Sequence, residues 1–176
     1  LIKALVARDA RGVLAGVICD PEAAAKAHTA GEGALVELQL GARAGTPGET
    51  PLAARFKVIA LGDGRFTGTG PFYRGARFEL GPMVLLELGG VRIAVASRKQ
   101  QAADQAMFRH LRAEPADHAV LALKSSVHFR ADFGAIADRP RTRRARRRAD
   151  WQGEADRQSA GGARLELRAA GCGLGA

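Results

Sequence analysis

A chain of 176 residues, 47% of them apolar, can build one domain of ordinary size. Its core must come from Leu, Val, Ile and Ala, because aromatic residues make up only 5%. No apolar run reaches the roughly 18 residues of a membrane span, no signal-peptide pattern is visible and none is expected, and two distant cysteines, Cys19 and Cys172, make neither a disulfide framework nor a zinc knuckle. A cytoplasmic location is expected. The net charge of +9 is uneven: residues 139–176 carry ten Arg against four acidic groups, a surplus of +6, and the other 138 residues carry only +3. The basicity therefore belongs to the tail, which argues against nucleic acid as the partner of the folded part.

In chain order, residues 1–11 read as a helix with apolar side chains at 1, 2, 5 and 6 on one face, ending near Gly12. The chain starts at Leu1 inside this pattern, without an initiator Met or an N-cap, so polypeptide is expected upstream. Residues 13–19 form a short apolar run, a buried strand. Asp20 followed by Pro21 starts a helix, with Asp as N-cap and Pro at the first position, and Gly31 ends it. A strand followed by a capped helix indicates an α/β layer. Residues 34–40 alternate as a half-buried strand, 41–51 form a loop, and 55–61 make another strand. Asp63-Gly64 signals a tight turn. Residues 77–80 alternate, and strands at 84–88 and 91–96 are joined by Gly89-Gly90, a hairpin turn. Helical patterning returns over 104–111. Residues 119–123 read as a further buried strand, and 129–137 as a helix with Phe129, Phe133 and Ile136 on one side. The predicted class is α/β: a mixed sheet with a β-rich antiparallel middle and flanking helices. After Ala137 the apolar period disappears, so residues 1–137 form the domain and 138–176 an Arg/Ala/Gly-rich tail expected to be disordered.

Three clusters carry chemistry. No pair among His28, His110, His118 and His128 has a metal-ligand spacing, so no metal site is expected within the chain. The densest cluster is Lys124-Ser125-Ser126-Val127-His128-Phe129-Arg130, where an apolar strand runs into a helix. Ligands of open α/β sheets bind beyond the carboxyl ends of strands, and a helix start there offers free N–H groups. The plainer reading is a capped helix with solvated charges. The second cluster is the glycine- and aromatic-rich loop at residues 63–75, otherwise a mobile β-connection. The third runs from Ser97 to Asp104, otherwise a strand end, a turn and a cap.

In their order and wording these clusters resemble the C-terminal domain of the MlrC, or microcystinase C-like, metallopeptidase family. The family's Asp-Gly-Arg-Phe-Thr-x-Thr-Gly-Pro-x-Tyr-x-Gly loop is matched by residues 63–75. Its Ser-Arg-x-x-Gln-x-x-Asp-x-x-x-Phe segment is matched by Ser97, Arg98, Gln101, Asp104 and Phe108. Its Lys-Ser-Ser-x-His-Phe-Arg-Ala-x-Phe segment is matched by Lys124, Ser125, Ser126, His128, Phe129, Arg130, Ala131 and Phe133. The resemblance spans residues 1–137. It implies a zinc-dependent hydrolase of amide bonds in a peptide or related small substrate. The zinc would lie in an N-terminal domain missing from this chain, and the present domain would close over the cleft. Residues 138–176 do not resemble the family's ending, and a frame shift in a GC-rich gene would produce such a mixture. Translating the other two frames beyond residue 137 tests this, since the idea requires one of them to encode an apolar strand.

From the chemistry of the residues, His128 is the expected catalytic group, donating to an oxyanion or shuttling a proton. Lys124, Ser125, Ser126 and Arg130 would grip an anionic part of the substrate, and Tyr73 and Arg74 would form the cleft rim. Ser97, Arg98 and Gln101 complete the substrate-binding set. The alternatives are a remnant domain without activity, or nucleic-acid binding through the arginine run from Arg139 to Arg148. The isolated chain is expected to be inactive.

Overall fold

The computed structural model describes residues 1–41 and 50–137, together with the backbones of 142–144 and 167–169. Its frame is a six-stranded mixed sheet. In chain order the strands are β1 (Val13–Cys19), β2 (Leu35–Leu40), β3 (Leu52–Gly62), β6 (Met83–Leu88), β7 (Val91–Ala96) and β8 (Val120–Leu123). They lie side by side as β2-β3-β6-β7-β1-β8. The first four neighbours pair antiparallel; β7, β1 and β8 pair parallel. The mixed sheet with an antiparallel middle is as expected. Gly89, at φ 60, makes the β6–β7 hairpin turn.

Helix α1 (Ile2–Ala7) precedes β1, and α2 (Pro21–Ala30) follows it. The start of α2 follows the sequence signals. Asp20 Oδ1 accepts the Ala23 N–H at 3.1 Å, and Gly31, at φ 85, closes the far end by donating to Ala27 O. Ala23, Ala24 and Ala27 form its buried face; their small side chains bring the helix close to the sheet. With Val13, Phe56, Val58, Val84, Leu86 and Ile93 they build one core. The opposite face carries a second core of Leu14, Leu85, Ala94, Leu121 and Leu123, capped by Met107, Phe108, Phe129 and Phe133.

That second face is covered by the smaller elements. At the end of β3 the chain turns at Asp63-Gly64 into β4 (Arg65–Thr67), which pairs with β5 (Arg77–Glu79) in a separate two-stranded sheet. The turn is where the sequence indicates it, but β3 and β4 do not pair with each other. Helix α3 spans only Ala106–Arg109, shorter than the expected 104–111. Asp104 spends its side chain on a distant loop as well as on the Ala106 N–H, and Arg112, at φ 57, ends the helical turns. The 129–137 helix is divided into α4 (Arg130–Phe133) and a 3-10 turn at Gly134–Ile136. Its apolar side is as read: Phe129 and Phe133 are buried and Ile136 is partly buried.

The expectation of a disordered tail lies outside the described residues for most of 138–176. Within that stretch β9 (Thr142–Arg144) and β10 (Leu167–Ala169) pair parallel. The frame-shift idea concerns the same stretch.

Candidate functional site at the carboxyl ends of the parallel strands

Strands β1 and β7 end side by side, and β8 stops earlier, opposite Gly16 of β1. Asp20 N–H, just past β1, donates to Ala96 O at the end of β7, and Lys124 N–H, just past β8, donates to Gly16 O. The segments leaving β7 and β8 are then laced to each other. Ala102 N–H donates to Lys124 O at 3.2 Å, and Gln101 Nε2 donates to Ser125 Oγ at 2.8 Å. Ser125 Oγ also accepts the Phe129 N–H at 3.3 Å; the N-cap position of α4 is Phe129 and carries no side-chain cap, so neither serine caps this helix as the sequence suggests. Ser125 is therefore buried, Gln101 is half-buried, and both are braces.

The glycine-rich loop joins them from the β4–β5 side. The Phe72 ring stacks on the His128 imidazole, centroids 4.1 Å apart and planes 15° apart. Tyr73 meets Phe72 edge-on at 4.6 Å and Phe78 at 5.1 Å, and its hydroxyl accepts from Gln100 Nε2 at 2.9 Å. His128, Ser126 and Arg130 are exposed, and Lys124 is half-buried. Phe72 and Val127 are 45% and 60% exposed, so an apolar shelf adjoins the imidazole. Arg130 lies 5.9 Å from the Phe129 ring centroid. All three sequence clusters thus meet at one edge of the sheet.

Ser97 and Arg98 serve a different place. Ser97 Oγ donates to Pro82 O at 2.7 Å, and Arg98 Nη1 donates to Glu79 O at 3.0 Å, tying β7 to the β5–β6 connection. Arg98 also lines a shallow groove of about 370 Å³ with His28, Asp63, Arg65 and Glu79. Arg74 is exposed on the loop.

Sequence reasoning left out Phe72, Asp132 and His110, whose roles come from long-range contacts. Gly64 N–H donates to His110 Nε2 at 3.0 Å, and Asp63 Oδ1 lies 3.2 Å from the same nitrogen. A nitrogen that accepts the Gly64 proton carries none of its own, so the Asp63 contact is then no ion pair. The Asp63 carboxyl is held below its ordinary value chiefly by the Arg65 N–H it accepts.

Residues 1–145 match the family model described as MlrC C-terminus. The chain belongs to the MlrC C-terminal family. Among its relatives is Microcystinase C of Sphingomonas sp., to which it is 32% identical over 134 residues, 76% of this chain and 26% of that protein. Its fold matches the crystal structure of a "Putative metallopeptidase" from Mesorhizobium sp. BNC1 with a TM-score of 0.69 and 26% identity, covering 77% of this chain and 28% of that one. The chain thus spans about a quarter of either relative.

A metal ion does not fit the described residues of this MlrC C-terminal domain. No group of three or more His, Cys, Asp or Glu side chains among them is arranged to hold one. The histidines lie apart in separate contacts: His28 Nε2 on Met83 O, His118 Nδ1 on Glu114 O, His110 on Gly64 and His128 on Phe72. Among the described residues no helix is long and apolar enough to cross a membrane.

Proposed function

We propose that the chain is the substrate-cleft domain of a metal-dependent amide or peptide hydrolase, with zinc and its ligands supplied by a part of the protein outside this chain. What carries the reading is His128. It is exposed, held flat against Phe72, and placed beyond the end of β8 among Lys124, Ser126 and Arg130. An imidazole in such a position can donate to a developing oxyanion or pass a proton to a leaving group. Lys124 and Arg130 supply positive charge for an anionic part of a small peptide or amide substrate. Val127 and the outer part of Phe72 receive an apolar part. Tyr73 and Arg74 belong to the cleft rim, and Ser125 and Gln101 keep the β7 and β8 exits in register. The free thiol of Cys19 and its distance in sequence from Cys172 agree with a reducing, cytoplasmic setting.

The test uses the full-length protein that carries this domain. His128→Ala is expected to lower turnover by about 100-fold, the usual cost of one transition-state donor, with bound metal retained. Metal lost together with activity would make His128 a ligand. Unchanged turnover would reduce it to a surface residue of the turn before α4.

A further inference from the structure

Asp104 is completely buried, and a buried carboxylate persists only where donors replace the water it has lost. Its donors come from two directions. Ala106 N–H reaches Oδ1 at 2.9 Å and turns the chain into α3. Gly70 N–H reaches Oδ2 at 2.9 Å, and the Thr69 hydroxyl lies 3.4 Å from Oδ1; both belong to the loop that carries Phe72. The loop is also fitted sterically. A Cβ at Gly68 would stand 3.0 Å from Asp104 Oδ2 and 2.3 Å from Tyr73 O. A Cβ at Gly70 would stand 2.6 Å from Asp132 Cγ. Gly70 therefore sits between two carboxylates, and the second is itself fixed by the Gln105 N–H, which it accepts at 2.6 Å. Two residues beyond Gly70, Phe72 stacks on His128; His128 precedes Asp132 by four residues on the same segment. The carboxylate anchor and the aromatic stack are two ends of one short contact between the loop and the β8–α4 segment.

We propose that Asp104 is a positioning residue: its carboxylate anchors the backbone at Gly70 and the hydroxyl of Thr69 so that Phe72 covers one face of the His128 imidazole and fixes its orientation. The consequence for turnover rests on the reading of His128 given above; the anchoring itself does not. Asp104→Asn keeps the size but turns an amino group toward an N–H donor, which removes one anchor. Gly70→Ala leaves the carboxylate untouched and pushes the loop away from Asp132.

A ring stacked at this distance shields the His128 ring protons, so their NMR positions report the stack directly. Phe72→Leu supplies the reference for its loss. In the full chain, Asp104→Asn and, separately, Gly70→Ala are expected to move the His128 Hε1 and Hδ2 signals most of the way to the Phe72→Leu positions. In the full-length enzyme the same changes should lower kcat on the order of tenfold or more through misplacement, with a smaller change in KM and metal retained. His128 signals at wild-type positions in both folded variants would overturn the proposal. Signals that move while kcat stays constant would uphold the anchor and overturn instead the catalytic reading of His128.

Discussion

Glu114 and Arg109 show how single side chains support the site from a distance. Arg109 Nε and Nη2 hold the two Glu114 oxygens at 2.7 and 3.0 Å. Arg109 Nη2 also donates to Gln105 Oε1 at 3.0 Å, and Gln105 in turn holds Asp132. The side-chain hydrogen bond from Arg109 keeps the Glu114 carboxyl below its ordinary value, against the opposing effect of desolvation. Because the folded value lies below the unfolded one, the stabilisation is complete above the ordinary glutamate range and fades as pH falls through the depressed value. The pair is partly exposed, so its worth is about 0.5 kcal/mol. Glu114→Gln should therefore lower stability by about that amount at neutral pH and by nothing in acid well below the ordinary glutamate range, once the wild-type carboxyl is protonated. Urea unfolding at the two pH values checks this; an equal loss at both would mean that the contact does not act through charge.

At the scale of elements, what was legible in the sequence is what local chemistry decides. The run 13–19 and the Asp20-Pro21 start of α2 are read correctly because the apolar period, the cap and the proline all act within a few residues. The same Asp20 also accepts the Gly41 N–H at 3.0 Å, a contact 21 residues away that no local pattern announces. The failures have the same origin. Asp104 reads as the cap, but the N-cap position of α3 is Gln105; Asp104 accepts the Ala106 N–H with one oxygen in a local turn and the Gly70 N–H with the other, and the predicted helix shrinks to Ala106–Arg109. Phe72 reads as one aromatic among several in a loop, and only the fold stacks it on His128. The three clusters could be picked out one by one, but not the fact that they meet. Within the sheet, Gly16 is tightly constrained: at φ 150, a Cβ there would lie 2.9 Å from Ala94 O and 3.0 Å from Ala94 Cβ in β7. Gly16→Ala should destabilise the domain by about 2 kcal/mol, as overpacking and backbone strain usually do. Thermal unfolding measures it, and a midpoint unchanged within a degree would show that β1 and β7 have room to part.

Over the whole molecule, charge and core are distributed unequally. The surplus of +6 lies in residues 139–176, and the rest is nearly balanced. Any affinity for random-sequence DNA should therefore be steeply salt-dependent and vanish when 138–176 are deleted. Binding that survives the deletion would assign a nucleic-acid surface to the folded part. The sheet itself divides the apolar interior in two. The α2 side is a helix packed on strands, whereas the loop side, though it buries a full apolar cluster against the sheet, is closed on its outside by short helical turns and by a loop fixed on two carboxylates. Such a partition separates the molecule into units of unequal resistance to local opening. Backbone amides of β7, which lies between β6 and β1 with residues 93–96 buried, should exchange with deuterium only when the whole domain opens. Those of Gly68 and Gly70 should exchange at a rate set by the detachment of the loop alone. The machinery proposed here would then be assembled and dismantled many times during the life of a sheet that stays closed throughout.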